Sequence, residues 1–129
     1  MNWLAIIIAV IANMVIGALW YGTWAFGKSW VKLSGHTMGE GMSMGPLYGM
    51  TALAALVQAI TMAWFVSQTG ASSGAAGAII GLYVGLGFVA TAMFAEVLFA
   101  GRHPRLYAIT AGYSVVAAIV QGAIIGFLG

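Results

Sequence analysis

The sequence predicts an all-α membrane protein, with four transmembrane helices in a compact bundle and a short interfacial helix after the first. Three observations predict it. The 129 residues carry only four Lys or Arg and two acids, while 63% are apolar and 19 are Gly. A soluble domain carries about 25% charged residues and keeps a wetted surface, which so few charges cannot provide. Next, four apolar stretches reach the roughly 20 residues that a helix needs to cross a hydrocarbon core of about 30 Å. Last, every cation falls in two of the connectors between those stretches. The same composition excludes disorder, which needs low hydrophobicity, and nucleic-acid binding, which needs a basic face. With no Cys in the chain, disulfides and thiolate chemistry are absent.

The first span runs from Trp3 to about Tyr21 and is interrupted only by Asn13. Without a basic leading segment, and at full spanning length, it reads as a retained helix rather than a cleavable leader. The second runs from Pro46 to about Val66, with Thr51, Gln58 and Thr61 as its polar members. The third begins near Ala75, meets its first charge at Glu96 and ends around Ala100; the fourth runs from Leu106 to Leu128 with Thr110, Ser114 and Gln121. All four are apolar on every face, and none shows the period of two that a membrane strand requires. Pro46 and Pro104 suit the first turn of a helix, where a missing N–H costs nothing. Gly70 suits the end of the second helix, and Ser72 or Ser73 the cap of the third. The whole chain, 1–129, is thus one integral membrane domain.

Lys28 and Lys32 lie between spans one and two, and Arg102 and Arg105 between spans three and four, while the opposite ends hold no Lys or Arg. By the positive-inside rule both basic connectors are cytoplasmic and both termini outside, as expected of a multi-pass protein of a bacterial inner membrane. In the first connector Phe26, Trp30 and Leu33 fall at i, i+4 and i+7, with Lys28 and Lys32 on the other side of the turn. Trp24 to Leu33 therefore reads as a short helix on the membrane surface. Its interfacial anchors are Trp24, Lys28, Trp30 and Lys32, matched by Arg102 and Arg105 in the other connector. Gly35 to Gly45 reads as a loop.

Lipid tails are as apolar as Leu, so the helices must associate through close backbone packing and interhelical hydrogen bonds. Small residues spaced by four supply the first: Gly77, Gly81 and Gly85 on helix three, and Ala118, Gly122 and Gly126 on helix four. Ala5, Ala9, Asn13 and Gly17 line helix one, and Ala55, Ala59 and Ala63 line helix two. Asn13, Gln58 and Gln121 supply the second, because an unpaired amide in hydrocarbon is costly. Asn13 and Gln58 lie at matching depth near the midplane and should pair. These amides read as interhelical glue before they read as a solute site.

Glu96 is the only acid within a span, which makes it a functional candidate by default. It also lies about one turn from the Arg102 and Arg105 connector, where a structural ion pair is the simpler reading. Tyr113 sits at similar depth and offers a hydroxyl. His36, Met38, Met42 and Met44 provide soft donors of the kind that suit Cu(I), but their spacing is loose and no Cys assists, so no metal site is expected. No His lies inside a span, so none can ligate a haem at mid-membrane. No nucleophile, base and acid share one depth and no phosphate loop exists, so the chain is not expected to be an enzyme and no cofactor is expected.

The segments Asn2-Trp3-Leu4, Gly17-Ala18-Leu19-Trp20-Tyr21-Gly22, Phe26-Gly27-Lys28-Ser29-Trp30, Ala111-Gly112-Tyr113 and Gly122-Ala123-Ile124 resemble a bacterial family of small four-helix integral membrane proteins catalogued as a domain of unknown function. The resemblance implies the four-span fold and assigns no activity and no site residue. The chain is also similar in length and span number to small multidrug-resistance exporters. Those carry their acid in the first helix, where this chain has Asn13. The expectation is therefore a structural or accessory subunit that associates with itself or with other membrane chains. The alternative is a small proton-coupled transporter or channel using Glu96, with Tyr113, Asn13 and Gln58 along its path.

Overall fold

The computed structural model of the chain describes residues 2–22, 25–35 and 43–129. The elements are α1 (Trp3–Trp20), α2 (Gly27–Ser34), α3 (Met44–Thr69), α4 (Gly74–Val84), a π-helical segment (Gly85–Ala90), α5 (Thr91–Ala100) and α6 (Pro104–Leu128). The chain from α4 to α5 is one continuous rod, so four helices are long and apolar enough to cross a membrane. Among the described residues there is no strand.

Local chemistry sets most of the boundaries. The Asn2 side chain caps α1 by accepting from the Ala5 N–H at 3.3 Å, and the Ser73 hydroxyl caps α4 by accepting from Ala76 N–H at 3.1 Å. Pro104 opens α6 as expected. Pro46 instead stands third in α3, still within the first turn, whose N–H groups lack helical acceptors. Gly70, at φ 73°, ends α3 in the left-handed region and turns the chain into α4 within four residues, 70–73. The interfacial helix starts at Gly27 rather than near Trp24. Its lead-in is a tight turn in which Ala25 and Gly27 both donate to the Gly22 carbonyl, and Phe26 donates to that of Trp20.

Helix α6 is the hub, packing on α4, α1, α3 and the π segment. It runs antiparallel to α1: Asn2 Nδ2 donates to the Leu128 carbonyl at 2.9 Å at one end, and Trp20 Nε1 to the Ile109 carbonyl at 2.9 Å at the other. The described ends of the chain therefore meet at one end of the bundle. The closest packing is between α4 and α6, where the two glycine ridges face each other. A Cβ built on Gly77 would strike the Gly122 carbonyl, one on Gly81 would strike the Ala118 carbonyl, and one on Gly85 would stand 3.0 Å from Val115 Cα. Only hydrogen fits between these backbones, so the two helices make direct backbone-to-backbone dispersion contact.

Alanines make the second seam. Ala5, Ile6 and Ala9 of α1 pack with Ala59, Met62, Ala63 and Val66 of α3 and with Ala118 and Ile125 of α6. The large apolar side chains point away from this core. Leu4, Ile7, Ile11, Val15, Leu53, Val57, Trp64, Ile79, Tyr83, Leu86 and Phe88 are all about half exposed or more. In water such a girdle would be an aggregation surface, whereas in lipid it is the solvated one.

Candidate functional site

The polar groups of the bundle gather where α1, α3 and α6 meet. Asn13 is 4% exposed and holds both neighbours: its Nδ2 donates to Gln58 Oε1 at 3.1 Å, and its Oδ1 accepts from the Tyr113 hydroxyl. The same hydroxyl lies 3.2 Å from the Asn13 main-chain carbonyl. Gly17, one turn beyond Asn13, makes the approach possible, since a Cβ there would stand 3.2 Å from the Tyr113 oxygen. Gln58 accepts through Oε1 but sits on an exposed flank of α3, and its amide nitrogen donates to nothing among the described residues. Gln121 lies apart, 1% exposed, with Nε2 at 3.5 Å from the carbonyls of both Ala9 and Ala55. It marks the contact of the same three helices.

An aromatic latch closes the bundle on the side of Tyr113. Trp20 reaches from α1 to the Ile109 carbonyl across Gly112, where a Cβ would stand 3.2 Å from the indole. Tyr21 contacts Tyr113 at 5.5 Å between ring centroids and Trp30 at 6.4 Å, and Trp20 contacts Phe26 at 4.9 Å. The latch thus ties α1, α2 and α6 together through tilted and edge-on ring contacts of the kind aromatic quadrupoles favour. Glycines Gly17 and Gly112 are reciprocal: each helix gives up a side chain where the other inserts a ring. Farther along, the Tyr107 hydroxyl donates to the Ala90 carbonyl at 2.8 Å, at the end of the π segment, where the i→i−4 ladder is interrupted.

Glu96 takes no part in the polar cluster. It pairs with Arg102 Nε at 3.2 Å, the two side chains being 56% and 52% exposed. Tyr113, expected at a similar depth, stands instead level with the π segment, as the Gly85 to Val115 and Ala90 to Tyr107 contacts show, and gives its hydroxyl to Asn13 on α1. Among the cations, Lys28, Lys32 and Arg105 are exposed, and Lys32 and Arg105 line one cavity between α2 and the start of α6. Trp24, His36, Met38 and Met42 lie outside the described residues, as does the side chain of Met44. Among the described residues no three His, Cys, Asp or Glu gather as metal ligands do.

A family model described as "Protein of unknown function (DUF1761)" matches residues 4–126. The chain belongs to that family. No curated protein and no solved structure matches it. Membership carries no activity. Gly17 to Tyr21, Phe26 to Trp30 and Ala111 to Tyr113 converge on the aromatic latch and on Asn13.

Two contributions are invisible in the sequence taken locally. Trp20 reads as an interfacial aromatic, and nothing near it in the chain indicates an acceptor 89 positions away. Gly17 reads as one more step in a small-residue stripe, whereas its effect is to admit Tyr113. A signal did exist: Gly112 precedes Tyr113 by one position and Gly17 precedes Trp20 by three, so each helix carries a small residue within one turn of a large amphipathic ring.

Proposed function

We propose that this chain is a non-catalytic structural subunit of a bacterial inner membrane, and that its outer α3 face pairs with a second copy of itself. The observation that carries the reading is the Gln58 amide, exposed at mid-span on the outer flank of α3, its donor unused among the described residues. Hydrocarbon offers no acceptor, so a donor held there favours contact with protein. Gln58 is also not isolated. Thr51, Ala54, Gln58, Thr61, Phe65 and Gln68 alternate spacings of three and four along α3, and all but the half-buried Phe65 are exposed. This is a heptad seam, the geometry of left-handed helix pairing at about +20°.

A second copy suits the seam better than a different chain. Copies inserted with the same orientation present Gln58 at the same depth. An amide is its own complement, since Nε2 of one copy can donate to the lone pair that Asn13 leaves free on Oε1 of the other. The orientation follows from charge: the end holding Lys28, Lys32, Arg102 and Arg105 is cytoplasmic, and both termini are outside. Glu96 sits half exposed beside Arg102 rather than within the bundle, which favours packing over proton transport.

The test is energy transfer between differently labelled copies in bilayers, with Gln58→Leu as the variant. A leucine keeps the volume but removes both the outward donor and the acceptor of Asn13 Nδ2, so Asn13→Leu, which loses the same internal bond and keeps the outward donor, is the control: dimerisation should weaken about tenfold in Gln58→Leu and not in Asn13→Leu. Equal transfer in wild type and variant would refute self-pairing through Gln58. Absence of transfer in the wild type, with a different membrane chain held stoichiometrically, would assign the seam to a hetero-partner instead.

A further inference from the structure

A cavity of about 350 Å³ lies between α2 and the start of α6, and its walls are of two kinds. Lys32, Arg105 and Ser29 are the polar lining residues; Phe26, Leu33, Ala108 and Ile109 are the apolar ones. No acid lines it. Of the chain's two acids, Glu96 is engaged with Arg102, and Glu40 lies outside the described residues. Among the described residues, then, neither Lys32 nor Arg105 has a carboxylate partner. The cavity stands at the cationic end of the bundle, where headgroups meet acyl chains if the four helices span the bilayer.

We propose that this cavity binds the phosphodiester headgroup of an anionic membrane phospholipid, with Lys32 and Arg105 facing the phosphate and the first methylenes lying on Ala108, Ile109 and Phe26. Two cations beside one hydroxyl match a phosphate oxyanion, because Arg offers a planar fork of donors and Lys a mobile point charge. The apolar wall excludes a fully hydrated ion and admits an amphiphile. At about 30 Å³ per water-sized group, the cavity holds on the order of a dozen such groups, the size of a glycerophosphate with the start of its chains. An anionic lipid is favoured over a zwitterionic one because two cations with no carboxylate partner among the described residues attract net negative charge. This site is independent of the α3 pairing, since α2 and the start of α6 lie off that seam.

The test is native mass spectrometry of the purified full chain, titrated with phosphatidylglycerol, phosphatidylcholine or glycerol phosphate. Wild type should retain phosphatidylglycerol in preference to the other two. Lys32→Gln and Arg105→Gln should each weaken retention about fivefold, and together about 25-fold, the effect of losing one and two near-surface cations. Lys28→Gln, on α2 but outside the cavity, should leave it unchanged. Ala108→Trp should abolish retention with both cations in place, which separates a filled cavity from lost charge. Equal losses in Lys28→Gln and Lys32→Gln would overturn the proposal in favour of diffuse surface attraction. Glycerol phosphate bound as tightly as the lipid would overturn it in favour of a free-phosphate site, and unaltered retention in Ala108→Trp would remove the cavity from the account.

Discussion

Gly81→Leu is expected to force α4 away from α6 and to destabilise the bundle by more than about 3 kcal/mol, because the space it needs is occupied by backbone. A Cβ at Gly81 would stand 2.7 Å from both the Ala118 carbonyl carbon and Ile119 Cα, and neither can move without shifting the whole of α6. Even Gly81→Ala should be costly. The matched control is Gly87, in the same rod, where a Cβ would meet nothing within 4 Å. Gly87→Leu should leave packing intact apart from the helical propensity it gains. Unfolding of the two variants in mixed micelles, followed by steric trapping or circular dichroism, checks the contrast. Equal stability of Gly81→Leu and Gly87→Leu would show that the glycine ridge does not hold the bundle.

The second large effect is expected at Asn13. Replacing it with Leu keeps the volume but strands Gln58 Oε1 and removes the side-chain acceptor of the Tyr113 hydroxyl. Interhelical polar bonds in membranes average about 0.6 kcal/mol and reach about 1.7, so losing two costs about 1–3 kcal/mol. The lower end is favoured by the Asn13 main-chain carbonyl, which remains 3.2 Å from the Tyr113 hydroxyl and can still accept from it. A double-mutant cycle of Asn13→Leu with Tyr113→Phe should show coupling of at least about 0.5 kcal/mol. Additive costs would place the two side chains in separate interactions.

Much of this architecture was legible locally. Span length, the capping residues and four-residue spacing each follow from a few neighbouring positions, and so do α1, α3, the α4 to α5 rod, α6 and the ridges of Gly77, Gly81 and Gly122, though that the ridges face each other is shown only by the folded bundle. The Asn13 to Gln58 contact was legible for a different reason: depth along two helices can be counted from their ends, and two amides at one depth in hydrocarbon seek each other. What depth cannot supply is rotation. Tyr113, expected at the depth of Glu96, stands level with the π segment instead, since Gly85 packs on Val115 and Ala90 meets Tyr107, and it faces α1 while Glu96 projects beside Arg102, because the register and rotation of each helix are set by packing against its neighbours. The Trp20 to Ile109 bond and the π segment under Tyr107 were hidden for the same reason, since both depend on partners far along the chain. The α3 seam was half legible: its polar residues were plain in the sequence, but only the folded bundle shows that they stay on the outside.

That seam is open to direct measurement because the chain has no native Cys. Thr61→Cys places one thiol on the exposed α3 face and Ile79→Cys places one on the exposed face of α4, where Ile79 is 54% accessible. Mild oxidation in native membranes should give disulfide-linked dimers from Thr61→Cys and none above background from Ile79→Cys. Linkage through Ile79→Cys and not through Thr61→Cys would contradict self-association along α3.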